Sequence, residues 1–308
     1  MEQIKGITFA PFPYFGVLSS MEARDSLTMM MQCTEANCVL FALTGLQNTP
    51  QSEEIDFESN FLPSDLELKN AIHFAQSLGL KVILKPTVNC KNGVWRAFIN
   101  FFDNEVPCEP KWRNWFHSYK QFQLHYAQIA EETHCFMFIM GCEMVMAERK
   151  EAEWRDLTAE VKSIYHGYVS YNTDKYQEDH VTWWDCVDVI SSSGYYPIGS
   201  WKTELDRIEQ VVYRFNKPFF FAETGCMSVT GSAYVPNKWE LTGEANMIEQ
   251  ARWYEDMFEH TQNRPWVNGY CLWSWPARLY SENNVLHDKS YSFYAKDAET
   301  VVRRYFSL

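Results

Sequence analysis

The chain has 308 residues, a formal net charge of −13 and 16% aromatic residues, among them 12 Trp and 17 Tyr. The acidic balance excludes a general nucleic-acid surface, which needs a basic patch for phosphates, and it argues against anionic membranes and polyanionic substrates as partners. The length admits two ordinary domains or one large α/β barrel; with no linker-like tract and no composition shift, the expectation is a single domain over residues 1–308.

In chain order, the first apolar run covers residues 6–10 and is followed by a segment whose Met29, Met30 and Met31 read as core-filling side chains on a helix. The second run, 38–43, precedes a helix opened by Ser64-Asp-Leu-Glu67, a capping box in which Ser64 bonds the third backbone N–H and Glu67 reaches back. The third run, 81–86, leads into a long insert, 87–114, which carries Trp95 and Trp112 and borders Trp115. A helical stripe then spans 115–132, with Phe116, Tyr119, Phe122, Tyr126, Ile129 and Ala130 on one face. Further strands are predicted at 136–141, 167–171, 187–191, 218–222 and 269–273, and further helices at 152–163, 203–215 and 244–261. The strand-like runs are apolar throughout rather than alternating, as expected of parallel strands buried on both faces. Eight alternations of strand and helix predict a (β/α)8 TIM barrel. The alternative, an open doubly wound sheet, lacks its Gly-rich phosphate turn, because Phe9-Ala-Pro-Phe-Pro-Tyr14 follows the first run.

Barrel strands converge on one mouth at their C-terminal ends, so the residues there are the candidate site. Strand one supplies Phe12 and Tyr14, strand three Lys85, strand four Glu143 and strand five Asn172 and Asp174. Strand six supplies Tyr195 and Tyr196, strand seven Glu223, and strand eight Trp273 and Trp275. Glu143 and Glu223 each close a very apolar run, an arrangement that delivers carboxylates to a pocket. Two facing carboxyl groups about 5 Å apart are what retaining cleavage of a glycosidic bond requires, one as proton donor and one facing the anomeric carbon. The excess of Trp and Tyr suits platforms on which sugar rings stack.

At this point the sequence resembles glycoside hydrolase family 113, the β-mannanase family, within the clan of (β/α)8 retaining glycosidases. The resemblance rests on Lys85-Pro86, Gly93-x-Trp95-Arg96, Trp115-Phe116-x-Ser118-Tyr119, Gly141-x-Glu143, Trp184-Asp185 and Gly194-Tyr-Tyr-Pro197. Glu223-Thr-Gly225, Trp273-Ser-Trp275 and the tail Tyr294-Ala-Lys-Asp-Ala-Glu299 complete it, in order along nearly the whole chain. It implies retaining hydrolysis of β-1,4-mannosidic bonds in oligosaccharides, with no cofactor and no metal. Carried over by position, Glu143 is the acid/base and Glu223 the nucleophile. Tyr196 (or Tyr195) orients the nucleophile, and Trp273 forms the floor under the sugar. Lys85, Trp95, Arg96 and Asn172 contact substrate hydroxyls. Three positions depart from the pattern: Cys142 stands where the clan carries Asn, Thr87 where the family carries His, and Cys226 where it favours Tyr.

Other readings stay open on the residues alone: a β-glucosidase-like enzyme of the same clan, a sugar-binding barrel without catalysis, and a metal-dependent barrel hydrolase. The last needs clustered His and Asp at strand ends, and the eight His show no ligand spacing. The nine cysteines form no Cys-x-x-Cys pair, and Cys142, Cys226 and Cys271 read as buried inert thiols. With no signal-like N-terminus and no apolar stretch near the length of a membrane span, the expected location is cytoplasmic.

Overall fold

The structure, a computed structural model, describes residues 1–308 except the side chain of Glu282. Eight parallel strands close into a barrel in sequence order. They are β1 (Ile4–Phe9), β2 (Cys38–Gln47), β3 (Lys81–Cys90), β4 (Met137–Cys142), β5 (Tyr168–Thr173), β6 (Val189–Ser193), β7 (Phe219–Thr224) and β8 (Val267–Trp275). The helices are α1 (Met21–Thr34), α2 (Asp65–Ser77), α3 (Trp112–Glu132), α4 (Glu151–Ile164), α5 (Trp201–Phe215), α6 (Met247–Thr261), α7 (Glu282–Val285) and α8 (Asp297–Phe306). The predicted (β/α)8 barrel is therefore the observed fold. Among the described residues no helix is long and apolar enough to cross a membrane.

Two apolar layers follow from strand alternation. Ile4, Leu40, Ala42, Ile83, Met137, Ile139, Phe220 and Ala222 fill the barrel interior. The residues between them, such as Val39, Phe41, Phe138 and Phe221, face the helices in a larger and strongly aromatic layer. Trp112 and Trp115 from the end of the long insert belong to this outer layer rather than to the mouth, as do Trp183 and Trp184. Trp154 stacks on Trp183 with centroids 5.1 Å apart.

Three register irregularities break the alternation near the mouth, and they decide which side chains reach it. Against β5, β4 carries one extra residue between Ile139 and Cys142. A Cβ on Gly141 would fall 2.7 Å from the Tyr119 hydroxyl and 3.0 Å from the Tyr171 ring, so Gly141 lies against the outer layer and Cys142 turns inward. Against β6, β7 carries an extra residue between Phe221 and Glu223. With Phe220 and Ala222 already facing inward, strict alternation would send Glu223 out among the helices; the bulge returns it to the mouth. Against β1, β8 has an extra residue between Trp273 and Trp275, so Trp273 faces in and Trp275 faces out.

Ser64 caps α2 as expected, accepting from the Glu67 backbone N–H at 3.2 Å. Glu67 does not close a capping box. Its carboxylate instead accepts from the backbone N–H groups of Gly16 at 3.0 Å and Leu18 at 2.8 Å, tying the loop after β1 to α2.

Candidate active site

A cavity of about 610 Å3 opens at the C-terminal ends of the strands. Glu143, Glu223, Tyr195 and Trp273 line it from β4, β7, β6 and β8 or just beyond them. Phe12, Trp95, Arg96, Asp174 and Lys175 line it from the loops after β1, β3 and β5. Asn237, Trp239 and Tyr291 come from the loops after β7 and β8. The long loops after β3 and β7 each bring an exposed indole, Trp95 and Trp239, to the cavity.

One carboxylate oxygen of Glu143, one of Glu223 and the Cys142 sulfur all lie within 4.8 Å of one another. That spacing matches a carboxyl pair working on the same bond, and it is shorter than the about 6.5–9.5 Å used when a water must fit between sugar and base. Both carboxylates are buried, and each is held by donors. Glu143 sits at a left-handed φ of 51°, with its backbone N–H bonded to the Asn172 carbonyl at 2.7 Å. Its Oε1 accepts from the Ser193 hydroxyl at 2.9 Å, and its Oε2 from Trp95 Nε1 at 3.2 Å and Arg96 at 3.3 Å.

Glu223 Oε1 is ion-paired with the Lys85 ammonium and accepts from the Cys142 thiol at 3.3 Å; its Oε2 accepts from the Tyr195 hydroxyl at 3.1 Å. Burial works against the Glu223 charge, but the charges of Lys85 and Arg96 outweigh it and hold the carboxyl below its ordinary value. Burial and the neighbouring Glu223 charge push the Cys142 thiol and the Tyr195 phenol well up, so both remain protonated donors. Burial, then the charge of Glu143, pushes Asp174 up to about 7. The Cys142, Glu143 and Glu223 group is a poor cation site, because Lys85 and Arg96 already supply its positive charge and the sulfur is a neutral thiol.

The sequence expectations divide cleanly. Glu143, Glu223, Trp95, Arg96, Trp273 and Tyr195 line the cavity. Lys85 and Asn172 lie under the cavity rather than on its wall. Both are fully buried, joined Nζ to Oδ1 at 3.1 Å, and the Lys85 ammonium also sits 5.7 Å from the Trp273 ring centroid. Lys85 supports Glu223 directly, and Asn172 supports it through Lys85.

Tyr196 is not the partner of the nucleophile candidate. Successive residues face opposite ways, and its hydroxyl donates to the buried Glu178 at 2.5 Å on the helix side, where Ser192 and Arg207 also bind that carboxylate. Trp275 is fully buried against α1, donating to Ser26 Oγ at 3.1 Å, because the β8 bulge turns it away. Tyr14 is 74% exposed and does not line the cavity, since the loop after β1 swings outward to meet α2. Of the three departures from the family pattern, only Cys142 touches the carboxylate pair; Thr87 and Cys226 are buried and do not line the cavity.

Sequence reasoning did not single out Asn237, Trp239, Tyr291, Lys175 or Ser193. Their loops close over the mouth only after folding. Ser193, however, occupies an inward position on β6 that alternation from Val189 and Ser191 identifies.

The model of Glycoside Hydrolase Family 113 matches residues 7–296. A search of curated proteins found no match. Among solved structures, a GH113 beta-1,4-mannanase in a complex is 53% identical with a TM-score of 0.98, covering 100% of this chain and 99% of that one. The GH113 beta-mannanase AaManA from Alicyclobacillus acidocaldarius, in complex with ManMIm, is 41% identical with a TM-score of 0.96, covering 100% and 98%. A beta-glucuronidase from Ruminococcus gnavus shares the fold alone, at 14% identity and a TM-score of 0.66 over 99% of this chain and 50% of its own. The chain belongs to glycoside hydrolase family 113 and is a glycoside hydrolase.

Proposed function

We propose that this glycoside hydrolase cleaves β-1,4-mannosidic bonds with retention of configuration, using Glu223 as nucleophile and Glu143 as acid/base. The observation that carries the reading is the pair of buried carboxylates held within 4.8 Å of each other at the ends of β4 and β7. Glu223 faces an ammonium, a thiol and a phenol that favour its ionised form, as a nucleophile needs. Glu143 opens on the same cavity beside the exposed indole of Trp95, where a leaving sugar has room. The solved relatives that are beta-1,4-mannanases give the sugar class.

In the first step a Glu223 oxygen attacks the anomeric carbon, the glycosidic C–O bond breaks, and the departing oxygen takes the Glu143 proton. The product is a mannosyl ester on Glu223. In the second step Glu143 accepts a proton from water, the water oxygen bonds the same carbon, and the ester bond to Glu223 breaks. Forming the ester removes a negative charge beside Glu143, which favours the switch from acid to base. Trp273 lines the cavity, which supports the reading of its ring as a platform for a sugar face.

The test is hydrolysis of reduced β-1,4-mannohexaose by wild type and Glu223→Ala, with products resolved by chain length. Cleavage by the wild type that disappears in the variant supports both the sugar and the nucleophile. Mid-chain products identify endo action, and mannose released singly identifies exo action. A wild type inert on mannohexaose but active on another aryl β-glycoside would overturn the mannan assignment.

A further inference from the structure

The turn that carries Glu143 is fastened from the helix side of the barrel by groups that the proposed chemistry does not use. The Tyr171 ring packs against the bulge glycine, Gly141, where any Cβ would fall 3.0 Å from it. The Tyr171 hydroxyl then accepts from the Met144 backbone N–H at 3.0 Å and donates to Glu148 Oε1 at 2.7 Å. Thr173 donates to the same Glu148 oxygen at 2.7 Å. Tyr171 therefore brackets the acid/base candidate from two residues before it to one residue after it. Glu148 anchors the bracket, with its own backbone bonded to Met144 O at 3.0 Å and to the Trp183 indole at 2.9 Å.

This is a deliberate-looking expense of polarity in an otherwise aromatic layer. Tyr171 and Glu148 are both buried, and burial pushes the Glu148 carboxyl up to about 8. A carboxyl in such a place normally destabilises unless it is hydrogen-bonded. The Glu148 carboxyl holds Tyr171 and Thr173 of β5, and the Tyr171 hydroxyl in turn bonds the segment where Glu143 adopts the left-handed φ of 51° that side chains rarely take. Without the Tyr171 hydroxyl, the Met144 N–H is left unpaired in the interior and the turn loses its fixed end.

We propose that Tyr171 and Glu148 are positioning residues for Glu143, holding its turn so that the carboxyl meets the leaving oxygen. The inference rests on the reading of Glu143 as acid/base. Its signature is a loss of first-step rate, read as kcat/KM, confined to substrates whose leaving group needs a proton.

The experiment compares β-1,4-mannohexaose with dinitrophenyl β-mannobioside, whose leaving group departs without protonation. Tyr171→Phe is expected to lower kcat/KM, which reports the first step, by about 10- to 100-fold on mannohexaose, the range a small misplacement of a reacting group produces, and to change kcat/KM on the aryl substrate less than about threefold. Glu148→Gln keeps the shape and an acceptor oxygen and is expected to stay near wild type, whereas Glu148→Leu should show the same split as Tyr171→Phe. The two Glu148 variants carry the readout if Tyr171→Phe does not fold. Equal losses of kcat/KM on both substrates, or no loss on either, would overturn the positioning role. Glu143→Ala is the control: a split there but not in Tyr171→Phe overturns the positioning role alone. No split in Glu143→Ala overturns the acid/base reading and the positioning role with it.

Discussion

Lys85, fully buried beneath the cavity, forms an ion pair with Glu223 on the cavity wall. A buried charge that loses its partner is costly, about 3–5 kcal/mol when one side of such a pair is removed. Lys85→Met should therefore lower stability by an amount of that order, read from denaturant midpoints. It should also raise the Glu223 pKa, because the Lys85 charge is the leading influence that opposes burial there. With Glu223 as the proposed nucleophile, activity needs it ionised, so the acidic limb of kcat/KM is expected to lie below the ordinary carboxylate range in the wild type and to move to higher pH in Lys85→Met.

The same pair gives stability a pH dependence of defined sign. The folded-state pKa of Glu223 is lowered, so its contribution is fully present above the unfolded value of 4.5 and is lost as pH falls through the folded value. Unfolding midpoints measured from about pH 7 down to about pH 3 should fall on the acid side for the wild type, and this component should be missing from Lys85→Met.

The adjacent tyrosines should separate function from stability. Tyr195→Phe removes the donor to Glu223 Oε2 and is expected to reduce kcat by about 10-fold with little change in the unfolding midpoint, in line with one hydrogen bond to a charged group. Tyr196→Phe removes a donor to buried Glu178 and is expected to cost about 1–3 kcal/mol of stability while kcat and KM on mannohexaose hold. Steady-state kinetics beside thermal melts on both variants check this; the reverse pattern would return the role to Tyr196.

Thiol chemistry should leave the site alone. Cys108 is exposed, whereas Cys142 is fully buried, and burial with the Glu223 charge pushes its thiol well up. Iodoacetamide on the native enzyme is expected to label Cys108 with hydrolysis unchanged, and to reach Cys142 only after denaturation, as read by peptide mass spectrometry.

Trp239 offers its indole to the cavity while remaining largely exposed. Trp239→Ala is expected to raise KM for mannohexaose by roughly 2- to 10-fold at nearly constant kcat, the signature of a sugar platform bound equally in ground and transition states. A fall in kcat at constant KM would mean that this side chain acts on the reacting unit instead.

The fold was readable because each strand is a continuous apolar run and each helix carries its own periodic stripe, so all eight predicted strands overlap observed ones. Their mouth ends were set too early at β2 and β3, which run on through Thr44–Gln47 and Thr87–Cys90, because polar residues there pair in the sheet without looking like strand. The carboxylate pair was legible for the converse reason: an acid after an unbroken apolar run has nowhere to go but the strand end. Local pattern failed where a bulge reverses a face. Trp273 and Trp275 look equivalent at period two, and one extra residue in β8 puts the second against α1. Tyr195 and Tyr196 differ only in parity, and it is alternation carried on from Val189, Ser191 and Ser193, not composition, that assigns Tyr195 inward. Asn237, Trp239 and Tyr291 reach the cavity through tertiary loop packing, and Glu67 gave up its local cap for three-dimensional partners in the loop after β1.

The most direct measurement is trapping of the covalent intermediate with 2-deoxy-2-fluoro-β-mannosyl fluoride, followed by peptide mapping of the inactivated enzyme. The expected result is one mannosyl label per chain, as an ester on Glu223, with Glu223→Ala unlabelled. A label on Glu143 or any other residue, or hydrolysis of mannohexaose with inversion at the anomeric carbon, would contradict the two-glutamate retaining mechanism.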